Sequence, residues 1–135
     1  MGRISIDDLR KIEIFVDLPS EQLNWLAEHF QEMHFQPGEI MGREGEPIDN
    51  LTVILEGEIR IQRGSGADEM IIRGVAGQVT GLLPYSRLTH YGGTSRAVLP
   101  TRIANLHRSL LPEMLRRMPL LGQRLVCLLY TSRCV

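Results

Sequence analysis

The stretch that decides the fold is His34–Arg63, HFQPGEIMGREGEPIDNLTVILEGEIRIQR. Turn signals at 37–38 and 42–45 separate its short apolar segments. Between 51 and 63 the residues alternate. The apolar set is Leu51, Val53, Leu55, Ile59 and Ile61, and the polar set is Thr52, Glu56, Glu58, Arg60 and Gln62. The alternation predicts two β strands with one buried and one wet face, meeting at a bend at Gly57.

Helical patterns precede and follow the strands. Apolar residues at one-turn spacing predict a helix from the amino terminus to residue 18, and Ser20 is a good N-cap for a second helix. Short strands are expected at 70–72, 96–99 and 103–106, and helices return after His107. The pattern predicts a mainly β domain with flanking helices, a barrel or sandwich rather than a doubly wound sheet.

Composition and motif content limit the functions that this chain can have. A chain of 135 residues with a net charge of -1 suits one domain and has no overall positive field to attract nucleic acid. No apolar run approaches a membrane span and no signal peptide is recognisable, so we expect a cytoplasmic protein without membrane contact. Phosphate loops and nucleophile elbows are missing from the sequence, which argues against an enzyme. The four histidines lack ligand spacing, so no metal is expected.

Residues 34–63 resemble the amino-terminal half of the cyclic-nucleotide-binding domain family. The match covers Pro37-Gly38-Glu39, residues 43–46 and residues 55–59, and with the flanking helices it spans about residues 6 to 127. The resemblance implies a Crp/Fnr-like β-roll, a double-stranded β-helix or jelly-roll barrel, with N-terminal helices and C-terminal hinge helices. The expected division is a helical segment at 1–32, a β-roll at 33–108 with its ligand cassette at 77–97, and C-terminal helices at 109–135 that precede an output domain.

In this family the cassette holds a cyclic phosphate with backbone N–H groups and a buried Arg, and a Glu ten residues earlier binds the ribose. Carried over without a gap from Gly77, the family's Phe-Gly-Glu-Leu falls on residues 79–82. Gly81 then takes the place of the Glu, and Tyr91 the place of the Arg. The cassette residues that the resemblance assigns to ligand binding are Val79, Thr80, Gly81, Leu82, Leu83, Arg87, Tyr91 and Gly92.

Loss of both side chains predicts weak binding of ordinary cyclic nucleotides, since each such contact is worth roughly 1.5–3 kcal/mol. Arg87, in the cassette loop, is one substitute cation. Arg96 is another, although in an unbulged strand it points away from the face of Tyr91. Tyr91 itself either fills the pocket with its ring, the interpretation we favour from sequence, or stacks on a flatter, less anionic ligand.

These features predict a non-catalytic sensory or regulatory domain. Residues 81–87 resemble a cassette found at the amino terminus of bacterial sensor histidine kinases, so we expect the input module of a signal-transduction protein of that kind. The alternatives are the input domain of a Crp/Fnr-like transcription regulator and a ligand-free interaction module. No cofactor is assigned beyond a cyclic nucleotide or another small ligand. The apolar stripe of the last helix either forms a homodimer or packs on the barrel of its own chain; its members are Leu120, Leu121, Leu125 and Leu128.

Overall fold

The computed structural model describes residues 4–64, 70–83 and 89–134, with side chains described as far as Cys127. The helices are α1 (Ile6–Arg10), α2 (Ser20–His29), α3 (Leu111–Arg117) and α4 (Pro119–Cys134). A short 3-10 helix, Arg108–Leu110, precedes α3. The strands are β1 (Gln31–Phe35), β2 (Ile40–Gly42), β3 (Asn50–Glu56), β4 (Glu58–Arg63), β5 (Met70–Val75), β6 (Val79–Gly81), β7 (Thr94–Ala97) and β8 (Thr101–His107).

The strands form two antiparallel sheets of four strands each in the described part of the chain. Their orders are β1-β8-β3-β6 and β2-β7-β4-β5. Ile54 and Ile103 of the first sheet pack with Ile59 of the second, so the two sheets close on each other as a flattened barrel. The predicted fold class, a mainly β roll with helices at both ends, is confirmed.

Strand β3 is buried on both faces, which corrects the prediction of one wet face. Leu51 and Val53 pack against the helices, whereas Thr52 and Ile54 are buried on the opposite side of the strand. The pairing of β3 with β8 shifts register after Ile54. The apolar residues that alternate in the sequence therefore do not share one cluster. The irregularity before the bend changes which side of the chain faces the barrel interior, so some of them pack against the helices and others pack between the sheets.

The bend itself lies at Gly57, as predicted. Its φ is +98°, and a Cβ atom there would lie 2.5 Å from the carbonyl oxygen of Pro100. Only glycine combines this backbone conformation with so close an approach. The bend thus brings β4 into the second sheet.

The first predicted helix is too long. α1 ends at Arg10, and the chain continues through turns in which the N–H of Ile12, Phe15 and Leu18 each bond a carbonyl three residues earlier. The apolar residues recur every third position, and this spacing keeps them all on one buried side of a three-residue turn. An α-helix would rotate them progressively out of the core.

Ser20 is the first residue of α2 rather than its N-cap. Pro19 occupies the cap position without a side-chain hydrogen bond, and the Ser20 hydroxyl accepts a hydrogen bond of 2.9 Å from Arg10. Leu23 and Leu26 are the buried residues of this helix. The described helices include none long and apolar enough to cross a membrane.

The last helix packs on the domain. Leu121 and Leu125 are each 1% exposed and belong to the same core cluster as the N-terminal helices, whereas Leu120 is half exposed. The side chain of Leu128 lies outside the described residues. The predicted dimer stripe is therefore divided, because two of its members already have a core to cover.

Arg124 connects α4 to the N-terminal segment by hydrogen bonds. Its guanidinium donates to the carbonyl of Ile14 at 2.7 Å and to the carboxylate of Asp17 at 2.9 Å. The two ends of the chain consequently form one helical layer beside the barrel.

Candidate ligand pocket

A cavity of about 340 Å³ lies between the two sheets. Its lining is polar at some positions and apolar at others: Met33, Phe35, Met41, Gly42, Glu46, Pro47, Asp49, Asn50, Thr52, Ile59, Thr80, Gly81, Tyr91, Ser95, Ile103 and Asn105. Both sheets contribute, so the cavity depends on the closed barrel.

Two buried polar side chains from neighbouring strands line the cavity. Thr52 and Asn105 are register partners in β3 and β8, and they are 6% and 8% exposed. The Thr52 hydroxyl donates to Asn105 Oδ1 at 2.6 Å, and Asn105 Nδ2 donates to the sulfur of Met33 at 3.3 Å. Because a thioether is a weak acceptor, the amide keeps donor capacity for a bound molecule.

Ser95 adds a third buried polar group from the opposite sheet. It lies in β7, is 7% exposed and lines the cavity. Its hydroxyl can therefore donate to, or accept from, a molecule in the cavity.

Tyr91 forms part of the wall. Its backbone N–H donates to the carbonyl of Glu46, and its carbonyl accepts from Gly45, both at 2.9 Å. Its ring lies against Gly42, whose missing side chain makes room for it. The ring therefore leaves the cavity open, and the favoured interpretation from sequence, a pocket filled by Tyr91, is wrong.

The charged side chains of the wall are acidic. Glu46 and Asp49 line the cavity and are exposed, and its described lining contains no Lys, Arg or His. Burial first, and then the negative charges of Asp49 and Glu46, raise the pKa of the Tyr91 hydroxyl above its ordinary value. The potential at this end of the cavity is therefore unfavourable for an anion.

The nearest cations point elsewhere or are partly engaged. Arg96 donates to the carbonyl of Gly38 at 2.8 Å and does not line the cavity. The parity argument does not apply to it, because Tyr91 lies before β7 and the two residues do not share a strand. Arg108 lies 3.9 Å from the Asp49 carboxylate, with both side chains more than half exposed. Arg87 falls outside the described residues.

The residues that the cassette resemblance assigned to the ligand fall into separate places. Thr80, Gly81 and Tyr91 line the cavity. Val79, Leu82 and Leu83 are partly buried against the helical core cluster instead. Gly92 is exposed, next to open space, and is not in the lining. The cassette strand thus contributes one side to the pocket and the other to the core.

Gly81 cannot carry the glutamate that the ungapped register assigns to its position. Its φ is +81°, and a Cβ atom would lie 2.4 Å from the carbonyl oxygen of Asn50. Any side chain would collide with backbone that is itself held in the sheet, where Leu82 N–H also bonds this carbonyl at 2.9 Å. The sequence-based equivalence of Gly81 with the glutamate is therefore not compatible with the geometry.

Sequence reasoning missed most of the polar lining. Thr52 was expected on a wet face, and Asn105 and Ser95 were not singled out. A signal was present in β8, where Asn105 interrupts the apolar run Ile103-Ala104-Asn105-Leu106. A polar residue inside a buried strand needs a partner, and here that partner is Thr52, 53 residues away.

Comparison with known proteins identifies the family. The sequence profile described as Cyclic nucleotide-binding domain matches residues 32–118. The chain belongs to the cyclic nucleotide-binding domain family. A search of curated proteins gives no match.

Solved structures share the fold. The Thermus thermophilus Catabolite Activator Protein superposes with a TM-score of 0.77 at 22% identity, over 88% of this chain and 57% of that protein. This chain therefore spans little more than half of that relative. A putative cyclic nucleotide-binding protein from Geobacter metallireducens gives 0.73 at 29% identity, over 91% and 90% of the two chains. The sensor domain of the transcriptional regulator DNR from Pseudomonas aeruginosa gives 0.74 at 20%, over 93% and 86%.

Proposed function

We propose that this chain is a non-catalytic sensory domain that binds ordinary cyclic AMP and cyclic GMP weakly or not at all. The observation that carries the proposal is the cavity wall, whose described charged members are Glu46 and Asp49 and whose described lining contains no Lys or Arg. A cyclic phosphate entering it would face two carboxylates without the cation that normally pairs with it.

We place the family's glutamate position at Leu82 rather than at Gly81. In the motif Phe-Gly-Glu-Leu a glycine directly precedes the glutamate, and Gly81 has the positive φ and the close backbone approach that require a glycine. Leu82 packs toward the core cluster. The arginine position, ten residues later, then falls on Gly92 instead of Tyr91. In this register as in the ungapped one, the site lacks both the acid for the ribose hydroxyl and the cation for the phosphate.

The strands that line the cavity also offer a route for a signal. Thr52 and Asn105 face the cavity, while their neighbours along β3 and β8, Leu51, Val53, Ala104 and Leu106, are packed in the helical core cluster. A ligand that displaces either strand therefore displaces the surface on which the helices rest. Because Met114, Leu121 and Leu125 belong to the same cluster, such a shift would reach the C-terminal helices.

The output that we favour is a sensor histidine kinase, because residues 81–87 resemble the cassette of such input domains. Input to a transcription regulator is the second candidate. It is supported by the names of structural neighbours such as the sensor domain of the transcriptional regulator DNR. A homodimer through α4 would have to rely on Leu120 among the described leucines of that stripe.

Calorimetric titration with cyclic AMP and cyclic GMP into the millimolar range tests the binding part. The unmodified protein should show dissociation constants well above micromolar. Tyr91→Arg should bind at least about tenfold more tightly, the value of one charge-assisted contact. Tyr91→Leu is the matched control, since it removes the ring without adding a cation. Micromolar binding by the unmodified protein would contradict the proposal.

The fluorescence of Trp25 tests whether ligand binding is coupled to the C-terminal helices. This residue is the single tryptophan of the chain, and the Arg117 guanidinium at the end of α3 lies 5.7 Å from its ring centre. Saturating Tyr91→Arg with cyclic AMP should therefore change Trp25 fluorescence, and Arg117→Gln should reduce that change. Binding without any change in Trp25 emission would show that occupancy does not reach α3.

A further inference from the structure

In the family this cavity binds an anion. In this chain the side chains that line it are those of a site for a cation. Glu46 and Asp49 line the cavity together with Tyr91, and the described lining adds no basic side chain. An aromatic face next to carboxylates is a combination that attracts ammonium groups. The same combination repels phosphates by like charge.

Neither carboxylate is fully neutralised by its neighbours. Glu46 Oε1 accepts a hydrogen bond of 2.9 Å from the backbone N–H of Arg43, which is an uncharged donor. The Asp49 carboxylate is 3.9 Å from Arg108, a long and exposed ion pair. Pairs of this kind contribute little, so both acids keep most of their field toward the cavity.

The buried part of the cavity supplies hydrogen bonds for the rest of a ligand. Ser95 and Asn105 are 7% and 8% exposed and line the cavity from opposite sheets, and the acceptor of Asn105 Nδ2 is the weakly accepting Met33 sulfur. Two donors on opposite sheets can hold one polar molecule between them. The acidic rim is therefore not an isolated cluster of charges, because a polar and concave site continues behind it.

We propose that the cavity binds a small organic cation, with its positively charged nitrogen beside Tyr91, Glu46 and Asp49 and its polar remainder on Ser95 and Asn105. The inference rests on the proposed sensory function and adds the charge of the ligand. It replaces the family's buried arginine and anionic ligand by acidic side chains and a cationic ligand in the same fold.

A series of probes with one skeleton and three charges tests this. Cyclic AMP carries a negative charge, adenosine is neutral, and 5′-amino-5′-deoxyadenosine is positive at pH 7. Titration of the whole chain, followed by calorimetry at low salt, should rank the amine above adenosine and adenosine above cyclic AMP. Two nearby carboxylates should separate the first and last by about tenfold or more.

The double variant Glu46→Gln with Asp49→Asn should remove the differences in affinity among the three probes. Cyclic AMP should then bind more tightly relative to the amine than it does to the native protein. The matched control is Asp7→Asn with Glu21→Gln, which removes the same charge at exposed residues outside the cavity wall and should keep the ranking. Ser95→Ala should weaken the amine and adenosine alike, because both lose the same hydrogen bond.

The outcomes separate the two proposals. Equal binding of adenosine and the amine would overturn the cation inference and leave a weakly nucleotide-binding sensory pocket standing. Micromolar binding of cyclic AMP would overturn both. Failure of all three probes to bind at millimolar concentration would overturn the cation inference, while the Trp25 response of Tyr91→Arg would still test the sensory function by itself.

Discussion

The ring of Tyr91 lies so close to Gly42 that a Cβ atom at residue 42 would stand 2.9 Å from two ring carbons. Both residues line the cavity. Gly42→Ala should therefore displace the ring and cost about 1 kcal/mol of unfolding free energy, as small overpacking does. Urea denaturation of the single variant measures the cost.

A double-mutant cycle provides the control. In a Tyr91→Ala background the alanine at residue 42 meets no ring, so its penalty should disappear. An equal penalty in both backgrounds would show that the cost of Gly42→Ala arises in the backbone and that the ring contact does not matter.

Two glycines of the cassette strand region offer a matched comparison. Gly77 and Gly81 both have positive φ, +93° and +81°, but a Cβ atom at Gly77 meets nothing within 4 Å, while at Gly81 it meets the Asn50 carbonyl at 2.4 Å. Gly77→Ala should cost about 1–2 kcal/mol from the backbone conformation alone. Gly81→Ala should cost about 2 kcal/mol more, because the sheet must open to admit the methyl group.

Chemical denaturation of the two variants decides the point. If Gly81→Ala were no worse than Gly77→Ala, a side chain would be tolerated at residue 81, and the ungapped register with glutamate at this position would again be acceptable.

Arg102 joins three carboxylates from different elements. It donates to Glu32 at 2.8 Å, to Asp8 at 3.0 Å and to Glu56 at 2.6 Å, and thereby ties β8 to β1, β3 and the first helix. The Glu32 side chain is only 4% exposed. Arg102→Gln should cost about 3 kcal/mol, because it leaves the buried Glu32 carboxylate with the His34 imidazole, 2.7 Å away, as its remaining side-chain partner.

Thermal or urea unfolding measures this loss. Arg116→Gln is the comparison, since Arg116 pairs with Glu113 on the exposed side of α3 and its removal should change stability little. A small effect of Arg102→Gln, comparable with that of Arg116→Gln, would contradict a structural role for the network.

The same network predicts the response to acid. The hydrogen bond from Arg102 lowers the pKa of Glu32 below its ordinary value in the folded state. A lowered carboxyl pKa stabilises the fold above the unfolded pKa, about 4.3 for glutamate, and this contribution is lost as the pH falls through the folded value. The unfolding free energy of the native protein should therefore fall more steeply below about pH 4.3 than that of Glu32→Gln.

Unfolding curves between neutral pH and pH 3 would check the slope. Glu21→Gln, which removes a carboxylate at an exposed residue, should follow the native protein. Parallel curves for the native protein and Glu32→Gln would refute the assignment of this acid sensitivity to Glu32.

The sequence by itself determined the roll, and it predicted the departure from the family's nucleotide site that we propose. The turns and the bend at Gly57 followed from residues 34–63, because turn glycines and alternation act locally along the chain. These are properties of neighbouring residues, and a single chain displays them directly.

The tertiary structure alone decided which side chains meet in the cavity. Thr52 and Asn105 are 53 residues apart, and only the pairing of β3 with β8 brings them together. The place of Tyr91 depends on Gly42, and the requirement for glycine at residue 81 depends on the carbonyl of Asn50. Alternation along a strand says which residues share a face, but the partner across the barrel decides whether that face meets water, core or ligand.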